Sequence, residues 1–229
     1  MILTKNGNLL RLASGYAVNA KIKEVDPYNP LNLPPFTIRG KFRSGYTPSM
    51  GDSQTLVDSV ENIWDITKNS TDWSGLFAEV DIRSVLGANS TGVTNMSNMF
   101  YHLPNDCQLV LFDTTSVTNF SSMFTECYRL TSIPLYDTSA GEIMTNMISY
   151  CLQLTIIPLF NTTSCIDAGD MCMNCQNIET GALALYQQMS TQATPPISHG
   201  NTFWNCGINT VTGAAELAQI PSDWGGTAS

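Results

Sequence analysis

The sequence predicts an α/β fold, a short solenoid of stacked 24-residue coils (a parallel sheet plus short helices) with a cap at each end, on three observations. Segments 112–135, 136–159 and 160–183 align without a gap. Cys127, Cys151 and Cys175 fall in one column, Met123, Met147 and Met171 in another, Leu130, Leu154 and Ile178 in a third, and Leu135, Leu159 and Leu183 in a fourth. Residues 88–111 form a fourth copy through Val93, Met96, Met99, Phe100 and Leu111, and Asp72-Trp73-Ser74-Gly75-Leu76-Phe77 reads as a degenerate fifth. Within a copy, a stretch of alternating residues gives way to helical spacing. A single coil of this kind has an apolar side that only stacking on neighbours removes from water.

The elements follow in order. Residues 1–20 predict a hairpin around Lys5-Asn6-Gly7, since an Asn-Gly step supplies the positive φ of a tight turn. Asp26-Pro27-Tyr28-Asn29-Pro30 and Pro34-Pro35 mark a loop. Residues 36–42 alternate apolar and polar and predict a half-exposed strand; residues 53–64 carry Leu56, Val57, Val60, Ile63 and Trp64 at helical spacing. The division is therefore residues 1–63 as an N-terminal cap or anchor, 64–183 as repeats, and 184–229 as a C-terminal cap. In each coil, Leu130-Thr131-Ser132-Ile133-Pro134-Leu135-Tyr136 predicts a short strand with Ile133 and Leu135 inward and Ser132, Pro134 and Tyr136 outward. Val117, Phe120, Met123 and Phe124 predict a short helical return leg. Residues 182–189 predict a helix, 192–205 a loop, and 212–220 a last helix.

Charge is unevenly placed. Residues 1–70 hold eight Lys/Arg and six acids, a balance of +2; residues 71–229 hold Arg83 and Arg129 against thirteen acids, a balance of −11. Such an acidic body is unsuited to nucleic acid, whose phosphates call for cations. No stretch approaches the ~18 apolar residues of a membrane span, and Met1-Ile2-Leu3-Thr4-Lys5-Asn6-Gly7 reads as strand and turn rather than as a secretion signal.

Catalytic and metal chemistry find little support in the residue types. Two His, no Gly-rich phosphate loop and no Gly-x-Ser-x-Gly leave no nucleophile–base set in view, so no enzyme and no cofactor are expected. Asp113 and Asp137, column mates replaced by Asn161 in the next coil, suit turn hydrogen bonding better than acid–base work. The Cys column predicts a buried thiol ladder; Cys172-Met173-Asn174-Cys175 has no second pair and no His at ligand spacing, so no metal site is expected. Five Asn-x-Ser/Thr sequences, at Asn69, Asn89, Asn95, Asn119 and Asn161, are what a repeat rich in these residues produces by chance. The alternation leaves one outward ladder: Phe112, Tyr136 and Phe160, flanked by Pro134, Pro158 and Ser132, as a ligand-binding strip for a sugar ring or a protein anchor.

The columns also carry a resemblance. Asp113-Thr114-Thr115-Ser116-Val117-Thr118-Asn119-Phe120-Ser121-Ser122-Met123-Phe124 with Cys127 and Leu130, and Val93-Thr94-Asn95-Met96-Ser97-Asn98-Met99-Phe100, resemble the BspA-like leucine-rich repeat of mycoplasma and gut-bacterial surface proteins over residues 64–183. Ala140-Gly141-Glu142-Ile143 and Cys165-Ile166-Asp167-Ala168 depart from its Ser-Val-Thr-Asn pattern. The resemblance implies a leucine-rich-repeat solenoid used for adhesion or recognition. Its face would be small, roughly 20–25 Å at ~4.8 Å per strand. Residues 29–35 and 207–224 are similar to the ends of phage proteins of gut Bacteroidales. The resulting expectation is a bacteriophage virion protein held to other virion proteins through residues 1–63, contacting a host-surface glycan or protein, with room for homo-oligomer assembly. The alternative is a bacterial cell-surface, secreted or effector-like interaction protein.

Overall fold

A chain that repeats at a fixed period must find partners for the same backbone groups in every copy. The computed structural model describes residues 36–40, 54–55, 63–66, 71–79, 82–88, 90–103, 106–107, 109 and 111–228. In it, copies are joined to each other. Parallel bridges link Asp72 to Asn95, Asn95 to Asn119, Asn119 to Ile143, Ile143 to Asp167, and Asp167 to Ser198. Beyond each bridge, alternate amides reach the following copy: Phe120, Ser122, Phe124 and Glu126 donate to the carbonyls of Ile143, Thr145, Met147 and Ser149 at 2.8–2.9 Å. The amides between them fold back locally, with Met123, Thr125 and Cys127 donating to Phe120, Ser122 and Phe124 at 3.1–3.2 Å. The same pattern recurs one copy later, from Met144, Asn146, Ile148 and Tyr150 to Asp167, Gly169, Met171 and Met173.

This leg was predicted as a short helix, and it is a run of tight turns. Bonds that close over three residues bring Val117, Phe120, Met123 and Phe124 to one side with a spacing that mimics helical periodicity. The turns require left-handed residues in two columns four apart. Gly75, Asn98, Ser122, Asn146, Asp170 and Asn201 form the first, and Glu79, His102, Glu126, Tyr150, Asn174 and Asn205 the second, all with φ between 53° and 63°. Gly, Asn and Asp, which enter this region at least cost, fill all but one place in the first column.

The stretch predicted as a strand also differs. Residues 130–138 form no strand, and burial recurs every third residue, at Leu130, Ile133 and Tyr136, then at Leu154, Ile157 and Phe160. Pro134 and Pro158 lack the N–H that a ladder needs, and among the described residues pairing in this leg is limited to one parallel bridge, Ile156 to Thr180. Inter-copy hydrogen bonding runs mainly through the turns.

Packing follows the columns. Phe77, Phe100 and Phe124 stack along the interior, with ring centroids 5.5 Å apart for the first pair and 5.4 Å, at 4°, for the second. Such aromatic pairs add to what burial alone contributes.

Before the second copy, strands β1 (Phe36–Gly40), β2 (Gln54–Thr55), β3 (Ile63–Ile66) and β4 (Ile82–Ala88) form an antiparallel sheet in the order β2-β3-β1-β4. β1 is the strand predicted at 36–42. The helix predicted over 53–64 is contradicted at both ends, where β2 and β3 lie. Ile63-Trp64-Asp65-Ile66 pairs with Gln54–Thr55 on one side, and its first three residues pair with β1 on the other. A β-branched and aromatic sequence in such a position adopts strand structure despite its helical spacing. The predicted hairpin in residues 1–20 lies outside the described residues.

At the other end, helix α1 (Ala182–Thr191) occupies the predicted site. The loop predicted over 192–205 holds for 192–196 and ends there: amides of Ala168, Asp170, Cys172 and Asn174 donate to Ser198, Gly200, Thr202 and Trp204, so 197–205 is a further turn leg. Helix α2 (Val211–Leu217) follows, its start capped by Thr210, whose hydroxyl accepts from the Gly213 amide. The Phe203 amide donates to Trp224 and Pro221 bridges Ala228, which closes this end of the stack.

Candidate binding surface

The burial of every third residue turns the predicted aromatic strip inward. Phe112, Tyr136 and Phe160 are 1%, 2% and 0% exposed. Phe112 and Tyr136 lie 5.7 Å apart and Tyr136 stacks 6.2 Å from Phe124, so their place is in the core rather than on a ligand. Pro134 and Pro158 are half-buried, and Ser132 is exposed. Of the six predicted contact residues, only Ser132 is fully available.

The position vacated on the surface is taken by leucine. Leu111, Leu135 and Leu159 are 45%, 61% and 51% exposed at the same place in three successive copies, with Ile156 at 59% beside them in sequence. The alternation predicts Leu135 inward, and its column mate Leu159 with it. Counting by threes from Leu130 or Leu154 would have placed both outside. Exposed single leucines are ordinary, but exposure at the same place in three successive copies marks a repeated apolar feature of the surface. Leu183, next in the column, packs against the core as α1 begins.

Residues that suggested chemistry hold the turns together. The carboxylates of Asp113 and Asp137 and the side-chain amide of Asn161 accept from the Thr115, Ser139 and Thr163 amides at 3.2, 2.9 and 3.1 Å. Asp137 is held below the usual carboxylate range by bonds from the Ser139 side chain and amide. A second set, Asp72, Asn95, Asn119 and Asp167, accepts from Ser74, Ser97, Ser121 and Gly169 at 2.9–3.0 Å. These are Asx turns, in which the side chain stands in for a backbone acceptor.

Two polar ladders run inside. Buried Ser90, Thr114 and Thr138 donate to the carbonyls of Asp113, Asp137 and Asn161 at 2.7–2.8 Å. Thr162 ends the series against α1, accepting from Gln188 at 2.9 Å and bonding Gln192 at 3.0 Å. The thiols of Cys127, Cys151 and Cys175 donate the other way, to Phe100, Phe124 and Ile148 carbonyls at 3.0, 3.2 and 2.9 Å. All seven cysteines are buried and free. Burial pushes Cys127, Cys165 and Cys175 up to about 12. The thiolate is the reacting form, so these groups should be inert. Folded protein should consume less than about one equivalent of dithiobis-nitrobenzoate in the time that urea-unfolded protein consumes seven. Rapid reaction of the native Cys column would contradict the buried ladder.

Among the described residues no group of three or more His, Cys, Asp or Glu is placed to hold a metal ion, and no helix is long and apolar enough to cross a membrane. Among the described residues the buried Nδ1 of His199 has no hydrogen-bond partner, and its ring stacks on Trp224 at 4.0 Å and 7°.

The in-register turns, the Asx columns and the stacked Phe positions define a repeat unit that can be compared with known proteins. Residues 71–184 match a family described as Mycoplasma protein of unknown function, DUF285. The DUF285 match fits the BspA-like repeat resemblance over nearly the same span. It begins at the first turn leg and ends within α1, so the turn leg at 197–205 lies beyond it. No curated protein and no solved structure matches the chain.

Proposed function

We propose that this chain is a non-enzymatic recognition protein, a short leucine-rich-repeat solenoid whose stacked copies display a binding strip. The observation that carries the reading is the exposed column Leu111, Leu135 and Leu159 with Ile156. Buried cores of interfaces are apolar and depleted in charge, which is the character of this strip. Asp113, Asp137 and Asn161 are engaged in turns, and the thiols of Cys127, Cys151 and Cys175 bond carbonyls of the preceding copies.

The finer proposal is a phage virion component, anchored through its N-terminal part and using the strip for host attachment or particle decoration. It is supported by the resemblance of residues 29–35 and 207–224 to gut-phage proteins and by the charge difference between the N-terminal part and the acidic body. A second reading, a bacterial surface or effector-like interaction protein, is favoured by the family match, whose description names Mycoplasma proteins.

Mass spectrometry of density-purified particles from a lysed source culture separates the two. Stoichiometric presence in particles supports the virion proposal; recovery only on cells or in the soluble fraction overturns it in favour of the second. For the strip, Leu111/Leu135/Leu159→Ser should lower binding of purified protein to host cells by about tenfold or more with the fold retained. Unchanged binding would remove the strip as the contact surface.

A further inference from the structure

The second left-handed column has occupants that its backbone does not favour. The last two copies place Asn174 and Asn205 there, whereas the earlier ones place Glu79, His102, Glu126 and Tyr150 at the same positive φ. Larger side chains hold this conformation at a cost, and such outliers concentrate at functional positions.

Around Glu126, His102 of this column meets two tyrosines that lie outside it, Tyr101 and Tyr128. The Tyr101 hydroxyl donates to Glu126 Oε1 at 3.3 Å and the Tyr128 hydroxyl to Oε2 at 2.9 Å. His102 Nδ1 lies 3.3 Å from Oε2. The imidazole stands edge-on between the two phenol rings, 5.9 Å and 74° from Tyr101, 5.5 Å and 79° from Tyr128. The group is open to solvent: the His102 and Glu126 side chains are 38% and 28% exposed, and Tyr128 is 37% exposed.

The hydrogen-bond inventory gives the ligand's character. Each phenol has one proton and gives it to Glu126; the neutral imidazole tautomer that satisfies this contact likewise places its proton on Nδ1. Desolvation, then the hydrogen bond to Glu126 and its charge, pushes the Tyr128 phenol up to about 12, so it stays a donor at neutral pH. What these four side chains still offer is two phenol oxygens, Nε2, the remaining carboxylate lone pairs and the ring faces. All of these accept positive charge or hydrogen, and none donates.

A sugar, whose hydroxyls need donors as well as acceptors, fits such an inventory poorly. An anion is repelled by a body carrying −11. A guanidinium fork prefers two unengaged carboxylate oxygens, and both are engaged here. A compact ammonium on an apolar stem fits, with its charge against Glu126 and the rings.

We propose that Tyr101, His102, Glu126 and Tyr128 form a docking site for a lysine side chain of a protein partner. The site goes beyond the leucine strip and shares no residue with it.

The test titrates the full chain at low salt with a short synthetic Gly-Lys repeat peptide, its lysine-acetylated form and a Gly-Arg counterpart, read by calorimetry. The Gly-Lys peptide should bind, the acetylated one should not, and the Gly-Arg one should bind more weakly. Glu126→Gln should weaken binding about tenfold, and Tyr128→Phe, which keeps the ring and is the milder change, about threefold. Both Glu142→Gln, at an exposed carboxylate elsewhere on the stack, and the triple leucine variant should leave it unchanged. Equal weakening by Glu126→Gln and Glu142→Gln, equal affinity for Gly-Arg, or no binding of Gly-Lys overturns the proposal. Retained Gly-Lys binding with lost cell binding in the leucine variant shows that the two surfaces act separately.

Discussion

Phe124→Ala should lower the unfolding free energy by about 3–5 kcal/mol, the range for removing a buried aromatic side chain from a core that cannot fully close the gap. Phe124 is wholly buried, stacked on Phe100 at 5.4 Å and facing Tyr136 at 6.2 Å. It therefore contributes to contacts on two sides of its copy. In a stack whose units touch mainly their neighbours, a defect in the middle also weakens coupling between the halves. Urea unfolding followed by tryptophan fluorescence and by far-ultraviolet circular dichroism checks both effects. Buried Trp73 and Trp224 report on opposite ends of the described stack. The two signals should coincide in the parent protein and separate in the variant. A loss below about 1 kcal/mol would mean that the aromatic column carries little of the stability.

Thr138→Val should destabilise by about 1–3 kcal/mol although it removes almost no volume. Thr138 is fully buried, and its hydroxyl donates at 2.8 Å to the Asn161 carbonyl in the next copy. Valine takes away that donor while leaving the carbonyl in place. The matched control is Thr115→Val, at an exposed hydroxyl bonded only locally to Asp113, which should change stability by less than about 0.5 kcal/mol. Thermal unfolding of the pair decides the matter, because equal shifts would remove the special weight of the buried ladder.

The sequence showed the columns better than the path between them. The 24-residue spacing correctly placed Cys127, Cys151 and Cys175 in successive copies, and turn bonding was the right role for Asp113, Asp137 and Asn161. Spacing alone did not separate a helix from successive turns, since both return side chains to one face every three or four residues. Recurrent Asn98 and Asn146, types suited to positive φ, were the clue to the turns. Period-two alternation gives the wrong inward and outward sets because it requires a pleat through Pro134, where the backbone has no donor to hold one. That single phase error exchanged Tyr136 with Leu135 and with it the candidate surface. The copy at 197–205 is hidden in the sequence because α1 intervenes and breaks the period, even though Asn205-Cys206 echoes Asn174-Cys175. For β2 and β3, pairing across the sheet decided the structure, and local spacing cannot report distant partners.

The detour through α1 has a consequence for how such a chain can change. Ala168 donates to Ser198, thirty residues on, where Phe120 donates to Ile143 only twenty-three residues on, yet the alternating pattern of amides and carbonyls resumes unaltered. The corner between Ile178 and Ile197 thus acts as a splice point, where added chain loops out while the lattice behind it keeps its register. Variation at its exposed positions, such as Ala184, Gln187 and Ala193 to Pro195, alters what the protein presents, whereas Ala182, Leu185 and Met189 are tied to the interior.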